Sequence, residues 1–305
     1  AQAQHFLTLQ GQEKPLQFSA TKNLIQQLAT QAKANGTMVM VVVADDDAYL
    51  EGQVTAVAED RFSMAIFNKF NYTDVRALQV DFSDILVMEF HGLDLKLETE
   101  LVRQRDHLKH VATKLYQNDG QLAGVFQNAL ANNRLISVVP KGPEDQFFVG
   151  RVKAVNDRVV VLSLKDMAGQ FGGYILLTLP SIQNVATASD YLQTISFYEK
   201  WDQTHHFSQQ PVLNADREFD PNDDLIQTII SEAAGFERVV RIKVADSDEH
   251  FLGYPENVGE TDFDLNLVGP DDGETAQIRY GQIREIAFGH IFAYLQEAQL
   301  KNAGR

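Results

Sequence analysis

The sequence predicts a mainly β chain with α-helices (α+β), folded as three tandem small five-stranded barrels, each with a preceding and a following helix. Three observations predict it. A segment that starts on glycine, alternates, turns and resumes occurs three times: GQVTAVAEDRFSMAIF from Gly52, GRVKAVNDRVVVLSL from Gly150 and GYPENVGETDFDLNLV from Gly253. An apolar helical pattern opens at Leu24, Leu122 and Leu225, each 28 residues before that glycine. Some thirty residues after the glycine each unit reaches an isoleucine, Ile85, Ile182 or Ile283, in another strand-like run. A recurring internal period marks a repeat architecture and outranks the reading of any single segment. Asp47, Asp145 and Asp248, five residues before the glycines, and Val57, Val155 and Val258, five after, keep the same register.

Taken in order, residues 1–20 form an extension or a short hairpin around Gly11 to Lys14. Repeat one spans 21–117. LIQQLATQAKANG places Leu24, Ile25, Leu28 and Ala32 on one helical face and stops at Asn35-Gly36. TMVMVVV reads as a buried strand and DDDA as a turn whose short side chains bond nearby backbone. The next strand begins near Gly52, where a missing Cβ permits a bend or a close approach. A polar turn at Glu59 to Arg61 leads into FSMAIF, then ALQVDF and ILVMEF follow a variable loop. A helix before five short, bent antiparallel strands is the order of an SH3-like barrel. DLKLETELVRQRDHLKHVATKLY then reads as the following helix, with Leu97, Leu101, Leu108, Val111 and Leu115 at helical spacing before Asn118-Asp119-Gly120. Repeat two (118–207) and repeat three (225–305) run through the same order and close on the helices DYLQTISFYEKW and HIFAYLQEAQLK. Between them, 208–224 is a linker rich in turn formers and charge.

Composition narrows the function classes. With 305 residues, 44% of them hydrophobic, the chain has material for two or three cores. Its longest apolar run, MVMVVVA, is strand length, far short of the roughly 18 to 20 residues that cross a bilayer. The start AQAQHF has neither a basic segment nor an apolar signal core, so a cytoplasmic location is expected. The absence of cysteine excludes disulfides, a thiolate nucleophile and cysteine metal sites. A net charge of −16 repels polyanions at long range. Residues 118–201 are balanced, with seven acidic and seven basic residues, so a local anion-binding face belongs there.

With these segments in place, the units resemble Sm-like domains, the bacterial Hfq family among them. Asp262-Phe263-Asp264-Leu265-Asn266-Leu267-Val268 resembles the first Sm motif, and Gly150 to Leu164 is similar to its Hfq version, with Asp157 in the turn. The resemblance implies units that join edge to edge through strands four and five into rings of six or seven. Three fused units can then pair with a second chain as a pseudo-hexamer, a homodimer through barrel edge strands; the alternative is a monomer whose added helices cover the edges. It also implies a basic residue near strand five. The corresponding positions read Phe82-Ser83-Asp84, Leu179-Pro180-Ser181 and Tyr280-Gly281-Gln282, which offer no cation.

The expected function is therefore non-enzymatic: a binding or assembly protein that mediates protein–protein interaction, with no membrane partner. The alternative is single-stranded RNA binding at Arg151, Lys153, Arg158 and Lys165, near Lys141, with Phe82 and Tyr280 as stacking platforms and Asn266 from the first motif. Strand alternation puts Arg151 and Lys153 on one face. A third reading is an enzyme whose site lies between repeats. No cofactor and no metal is expected. Asp45-Asp46-Asp47 and Asp246-Ser247-Asp248-Glu249 lack EF-hand spacing, and His205-His206 and His107 with His110 lack further ligands nearby. Gly169-Gln170-Phe171-Gly172-Gly173 matches no nucleotide fingerprint and reads as a flexible loop, and neither a Gly-x-Ser-x-Gly elbow nor His-Glu-x-x-His occurs.

Overall fold

The computed structural model describes residues 22–44, 49–68, 75–142, 146–205, 216–245, 247, 249–269 and 273–302. The expected N-terminal hairpin, Asp47, Asp145, Asp248 and the first part of the linker lie outside the described residues. The chain is mainly β with helices: six α-helices and sixteen strands among the described residues, in two antiparallel sheets. It divides into two compact units, Ala1–Val111 with Gln193–Gln209, and Ala112–Leu192 with Gln210–Arg305.

In the first unit α1 (Lys22–Asn35) precedes β1 (Met38–Val43), β2 (Tyr49–Val57), β3 (Arg61–Phe67), β4 (Val75–Asp81) and β5 (Ile85–Glu89). The sheet order is β4-β3-β2-β1-β5, with α2 (Leu93–Arg103) after it. Ile25, Ala29 and Ala32 on one face of α1 pack against Val39, Val41, Phe62, Met64 and Met88. Burying such side chains contributes about 1.5 to 3 kcal/mol each for the larger ones, which fixes the helix across the sheet.

The second unit holds β6 (Lys114–Gln117), α3 (Leu122–Ala131), β7 (Leu135–Pro140), β8 (Phe148–Val155), β9 (Val159–Lys165), β10 (Phe171–Thr178), β11 (Ile182–Ala188) and the start of α4 (Asp190–His205). Then come α5 (Leu225–Gly235), β12 (Val240–Val244), β13 (His250–Glu256), β14 (Asp262–Leu267), β15 (Thr275–Arg279), β16 (Ile283–Phe288) and α6 (Ile291–Asn302). All eleven strands form one sheet in the order β15-β14-β13-β12-β16-β10-β9-β8-β7-β11-β6. It contains the five-strand order of the first unit twice, with β6 added at one end.

The three five-strand sets agree bond by bond. In each, a residue just after the first helix has positive φ, namely Gly36, Asn133 and Glu237, and the next residue's amide returns to the helix at Ala32, Ala129 and Ala233. Strand two places Gly52, Gly150 and Gly253 opposite Ile66, Leu164 and Leu267 on strand three. A Cβ at those glycines would stand 2.4, 2.4 and 2.1 Å from the carbonyl oxygens of Ala65, Ser163 and Asn266. The strands cross so closely there that no side chain fits. Phe82-Ser83-Asp84, Leu179-Pro180-Ser181 and Tyr280-Gly281-Gln282 each form a 3-10 turn between strands four and five. The amides of Phe82, Leu179 and Tyr280 donate to Asp60, Arg158 and Thr261, and those of Ala44, Lys141 and Ala245 to Asp84, Ser181 and Gln282. Ile85, Ile182 and Ile283 open strand five, each opposite the end of strand one at an irregularity in the ladder.

Several expectations need correction. The buried faces that correspond are Ile25, Leu122 and Ile226, not Leu24, Leu122 and Leu225. Repeat two carries one extra residue between the helix and its glycine, so a uniform spacing of 28 misaligns the other two helices by one position. The helix foreseen as far as Tyr116 stops at Arg103. A 3-10 turn follows at 105–107, and Lys114–Gln117 is strand β6, paired with β11. Backbone pairing to an open sheet edge overrides the helical spacing of Leu108, Val111 and Leu115. Finally, Phe171, Gly172 and Gly173 are not loop but the start of β10; Gly173 has φ +101°, and a Cβ there would also meet the His290 backbone at 2.8–2.9 Å.

Candidate functional site: a strand-to-strand joint and the sheet edges

Two of the three five-strand sets share one sheet because β10, the fourth strand of the middle set, pairs with β16, the fifth strand of the last. The register runs Tyr174 to Phe288, Ile175 to Ala287, Leu176 to Ile286 and Leu177 to Glu285. Apolar side chains line both faces. Ile175 and Leu177 point into the core built on α3, whereas Tyr174 and Leu176 join Val159 and Val161 in the core built on α5. Because β9 and β10 are covered on both sides, VVVL and YILL are continuous apolar runs rather than alternating ones. Tyr174 stacks on Phe288 with centroids 5.5 Å apart, meets Phe171 and Phe219 edge-on, and accepts a 3.0 Å hydrogen bond on Oη from the Arg217 amide. The Leu179–Ser181 turn also seats on the joint, where Ser181 Oγ donates to the Thr178 carbonyl at 2.7 Å and the Arg284 carbonyl at 3.3 Å.

A charged group is sealed into this joint. Glu285 is 2% exposed, and its Oε1 accepts from Arg241 Nη2 at 2.9 Å, with His250 Nε2 3.8 Å away. Lys243, also buried, lies opposite Glu285 on β12 and opposite His250 on β13. Burial pushes the Glu285 carboxyl up, opposed by Arg241 and Lys243. His250 falls to about 4 through burial, then the charges of Arg241 and Lys243, and His290 falls to about 4 through burial and Arg241. Both imidazoles are therefore neutral at pH 7. The positions matching Glu285 in the other repeats, opposite Val139 and Val42, are Asn184 and Val87, so this cluster belongs to the joint alone.

The outer edges differ in chemistry. β15 ends the second sheet, and β4 and β5 end the first; none of these edges has a strand partner on its outer side among the described residues. At the ends of the β14·β15 ladder the Leu267 amide donates to Glu274 and the Tyr280 amide to Thr261. Hydrogen-bonded pairs alternate, so the amides of Thr275, Gln277 and Arg279 point away from the sheet. The same argument from the Phe82 amide turns those of Ala77, Gln79 and Asp81 outward on β4. Val75 on β4 and Leu86 on β5 are 51% and 59% exposed, large apolar side chains on edge strands.

The residues singled out for nucleic-acid binding are spread over different environments. Arg151 donates from Nη1 to the Asn133 carbonyl, at the end of α3. Arg151 and Lys153 are both half-buried with the buried Val152 between them, and a register irregularity of the β8·β9 ladder falls between Val152 and Ala154. Arg158 holds Asp224 at 3.2 Å, the residue that caps α5 by accepting from the Gln227 amide. Lys165 ends β9 opposite Phe171. Phe82 is 6% exposed and packs on Phe62, with no face left for a base. Tyr280 is half-buried against Phe263 and donates from its hydroxyl to the Gly259 carbonyl at 3.2 Å. Asn266 accepts from Thr275 Oγ1 at 3.0 Å. Lys141 is exposed beside the repeat-two turn.

Among the described residues no group of three or more His, Asp or Glu side chains is placed to hold a metal ion, and no helix is long and apolar enough to cross a membrane. His205 bonds through Nδ1 to the Trp201 carbonyl at 2.8 Å and stacks on its ring, while His206, Asp45, Asp46, Asp47, Asp246 and Asp248 lie outside the described residues. Sequence reasoning missed the Arg241–Glu285–His250 cluster. Its members are far apart in the chain, and only the pairing of β12, β13 and β16 brings them together. Compared with known proteins, the chain matches no family model and no curated protein.

Proposed function

We propose that this chain is a non-enzymatic, cytoplasmic assembly protein made of three Sm-like, five-stranded SH3-type units, which binds protein partners by strand addition. The observation that carries the reading is the β10·β16 joint, in which a fourth strand and a fifth strand from successive repeats pair along four residues. The same two kinds of strand stand open elsewhere: β15 is a fourth strand and β5 a fifth. Backbone groups on such edges recruit an added strand, and alternate side chains select it. The partner that fits β15 best is β5 of a second copy, because its exposed Leu86 supplies the apolar side chain the edge needs. The matching three-fold hydrogen-bond pattern and glycine crossings support the unit type.

The test is self-association of the full chain by sedimentation across a concentration series, beside a Gln277→Pro variant. That amide points outward, so proline leaves the internal ladder intact and removes only an edge donor. Association that weakens at least about tenfold in the variant is the expected result. A wild type that stays monomeric, while labelled A-rich or U-rich single strands bind it in a salt-dependent way, would replace this reading by RNA binding.

A further inference from the structure

Strand β6 occupies the edge of β11 in the register that β10 occupies on β16. At the joint, Leu176 faces Ile286 and Leu177 faces Glu285; at the cap, Tyr116 faces Val185 and Gln117 faces Asn184. Ile182 and Ile283 start their strands equivalently, so Val185 corresponds to Ile286 and Asn184 to Glu285. Leu115-Tyr116-Gln117 thus stands where Ile175-Leu176-Leu177 stands at the joint, while Lys114 faces Ala188 across an irregularity in the ladder. Two clefts confirm the equivalence of place. One of about 600 Å³ is lined by Lys114, Val125, Asn128, Arg134 and Thr187. Its counterpart of about 360 Å³ is lined by Tyr174, Ile229, Glu232, Arg238 and Phe288, the corresponding positions of the joint.

The substitute strand is a poor fit. It has four residues against eight in β10, Leu115 is 49% exposed, and its register breaks before Lys114, so no aromatic side chain stands where Tyr174 stacks on Phe288. The larger cleft is where that aromatic packing is lacking. Resting on the assembly reading above, we propose that β6 is an exchangeable internal cap: it holds closed a strand-addition site on β11, whose occupant in the assembled protein is β4 of a second copy. β4 is a fourth strand seven residues long with outward amides at Ala77, Gln79 and Asp81, and its Ala77-Leu78-Gln79-Val80 aligns with the four residues of β6. β15, the other open fourth strand, has five residues. Continuity with the β10·β16 joint argues for a fourth strand, and length for β4.

The test uses the full chain in two forms. Leu115 and Ala186 are opposite one another. The Asn118 amide donates to Gln183, which makes their pair a non-hydrogen-bonded one with close Cβ atoms, suited to a disulfide. The chain has no other cysteine, so Leu115→Cys/Ala186→Cys locks the cap when oxidised and frees it when reduced. Tyr116→Pro loosens the cap by deleting an amide that faces β11. A labelled peptide of residues 112–119, ATKLYQND, is the probe. Expected results are peptide binding at least about tenfold tighter to the reduced than to the oxidised pair, and stronger self-association of Tyr116→Pro that Gln79→Pro abolishes. Equal peptide binding by both redox forms overturns the exchangeable cap. A gain in association by Tyr116→Pro that survives Gln79→Pro overturns β4 as the occupant. If Tyr116→Pro does not fold, the redox pair alone decides, with self-association read in both forms. Because the readouts concern β11, a failure at β15 leaves them interpretable.

Discussion

Gly253→Ala and Gly150→Ala should each destabilise the second unit by about 3 kcal/mol, measured as a fall in the urea midpoint without a large change in slope. The added methyl would lie 2.1 Å from the Asn266 oxygen in one case and 2.4 Å from the Ser163 oxygen in the other. Backbone carbonyls of a paired strand cannot rotate away as a flexible side chain can, so the two strands must separate and nearby ladder bonds weaken. Gly124→Ala is the contrasting case. It lies inside α3 with nothing within 4 Å of its Cβ, so alanine should stabilise by about 0.5 to 1 kcal/mol. Similar losses at Gly124 and Gly150 would refute the close-crossing explanation.

Arg241→Met should cost about 2 to 3 kcal/mol at pH 7, and the deficit relative to wild type should shrink as pH falls. Removing the guanidinium leaves the Glu285 carboxylate, 3% exposed, with its main charge partner gone; the cost stays below that of a deeply buried pair because Arg241 is 36% exposed. The sign follows from proton uptake. Glu285 already takes a proton more readily than an unfolded glutamate, and losing Arg241 raises it further, so acid neutralises the stranded charge. Arg241 also helps to hold His250 and His290 near 4, well below the ordinary 6.5. In the wild type those two groups favour unfolding as pH drops from about 6.5 towards 4, since the unfolded chain binds protons that the folded chain refuses; the variant feels this less. Urea unfolding of both proteins at pH 7 and pH 5 checks the prediction. A deficit that grows in acid would place the stabilising role of Arg241 elsewhere.

The recurring five-strand order was legible because its markers are local and backbone-driven. Gly52, Gly150 and Gly253 are fixed by a steric crossing, and Ile85, Ile182 and Ile283 by the start of the same strand. Both survive divergence of the residues between them. The end of α2 was not legible, since Leu108, Val111 and Leu115 keep helical spacing while β6 is decided by an edge seventy residues away in sequence at Val185 and Ala186. The joint was hidden for a related reason. Unbroken apolar runs in β9 and β10 do signal strands buried on both faces, but they do not say which element covers the second face. The basic residues were visible in the sequence, yet Arg151 and Arg158 are engaged with the α3 terminus and the α5 cap, which no spacing reveals.

Strand-edge assembly is tested most directly by hydrogen exchange at the outward amides of Thr275, Gln277 and Arg279, followed from dilute to concentrated protein. These amides have no internal acceptor in the β14·β15 ladder, so in the isolated chain they should exchange much faster than Ala276 and Ile278 between them. They should become protected as concentration rises, in step with the measured mass. Outward amides that exchange freely while the protein associates would contradict it, because assembly would then use some surface other than the open strand.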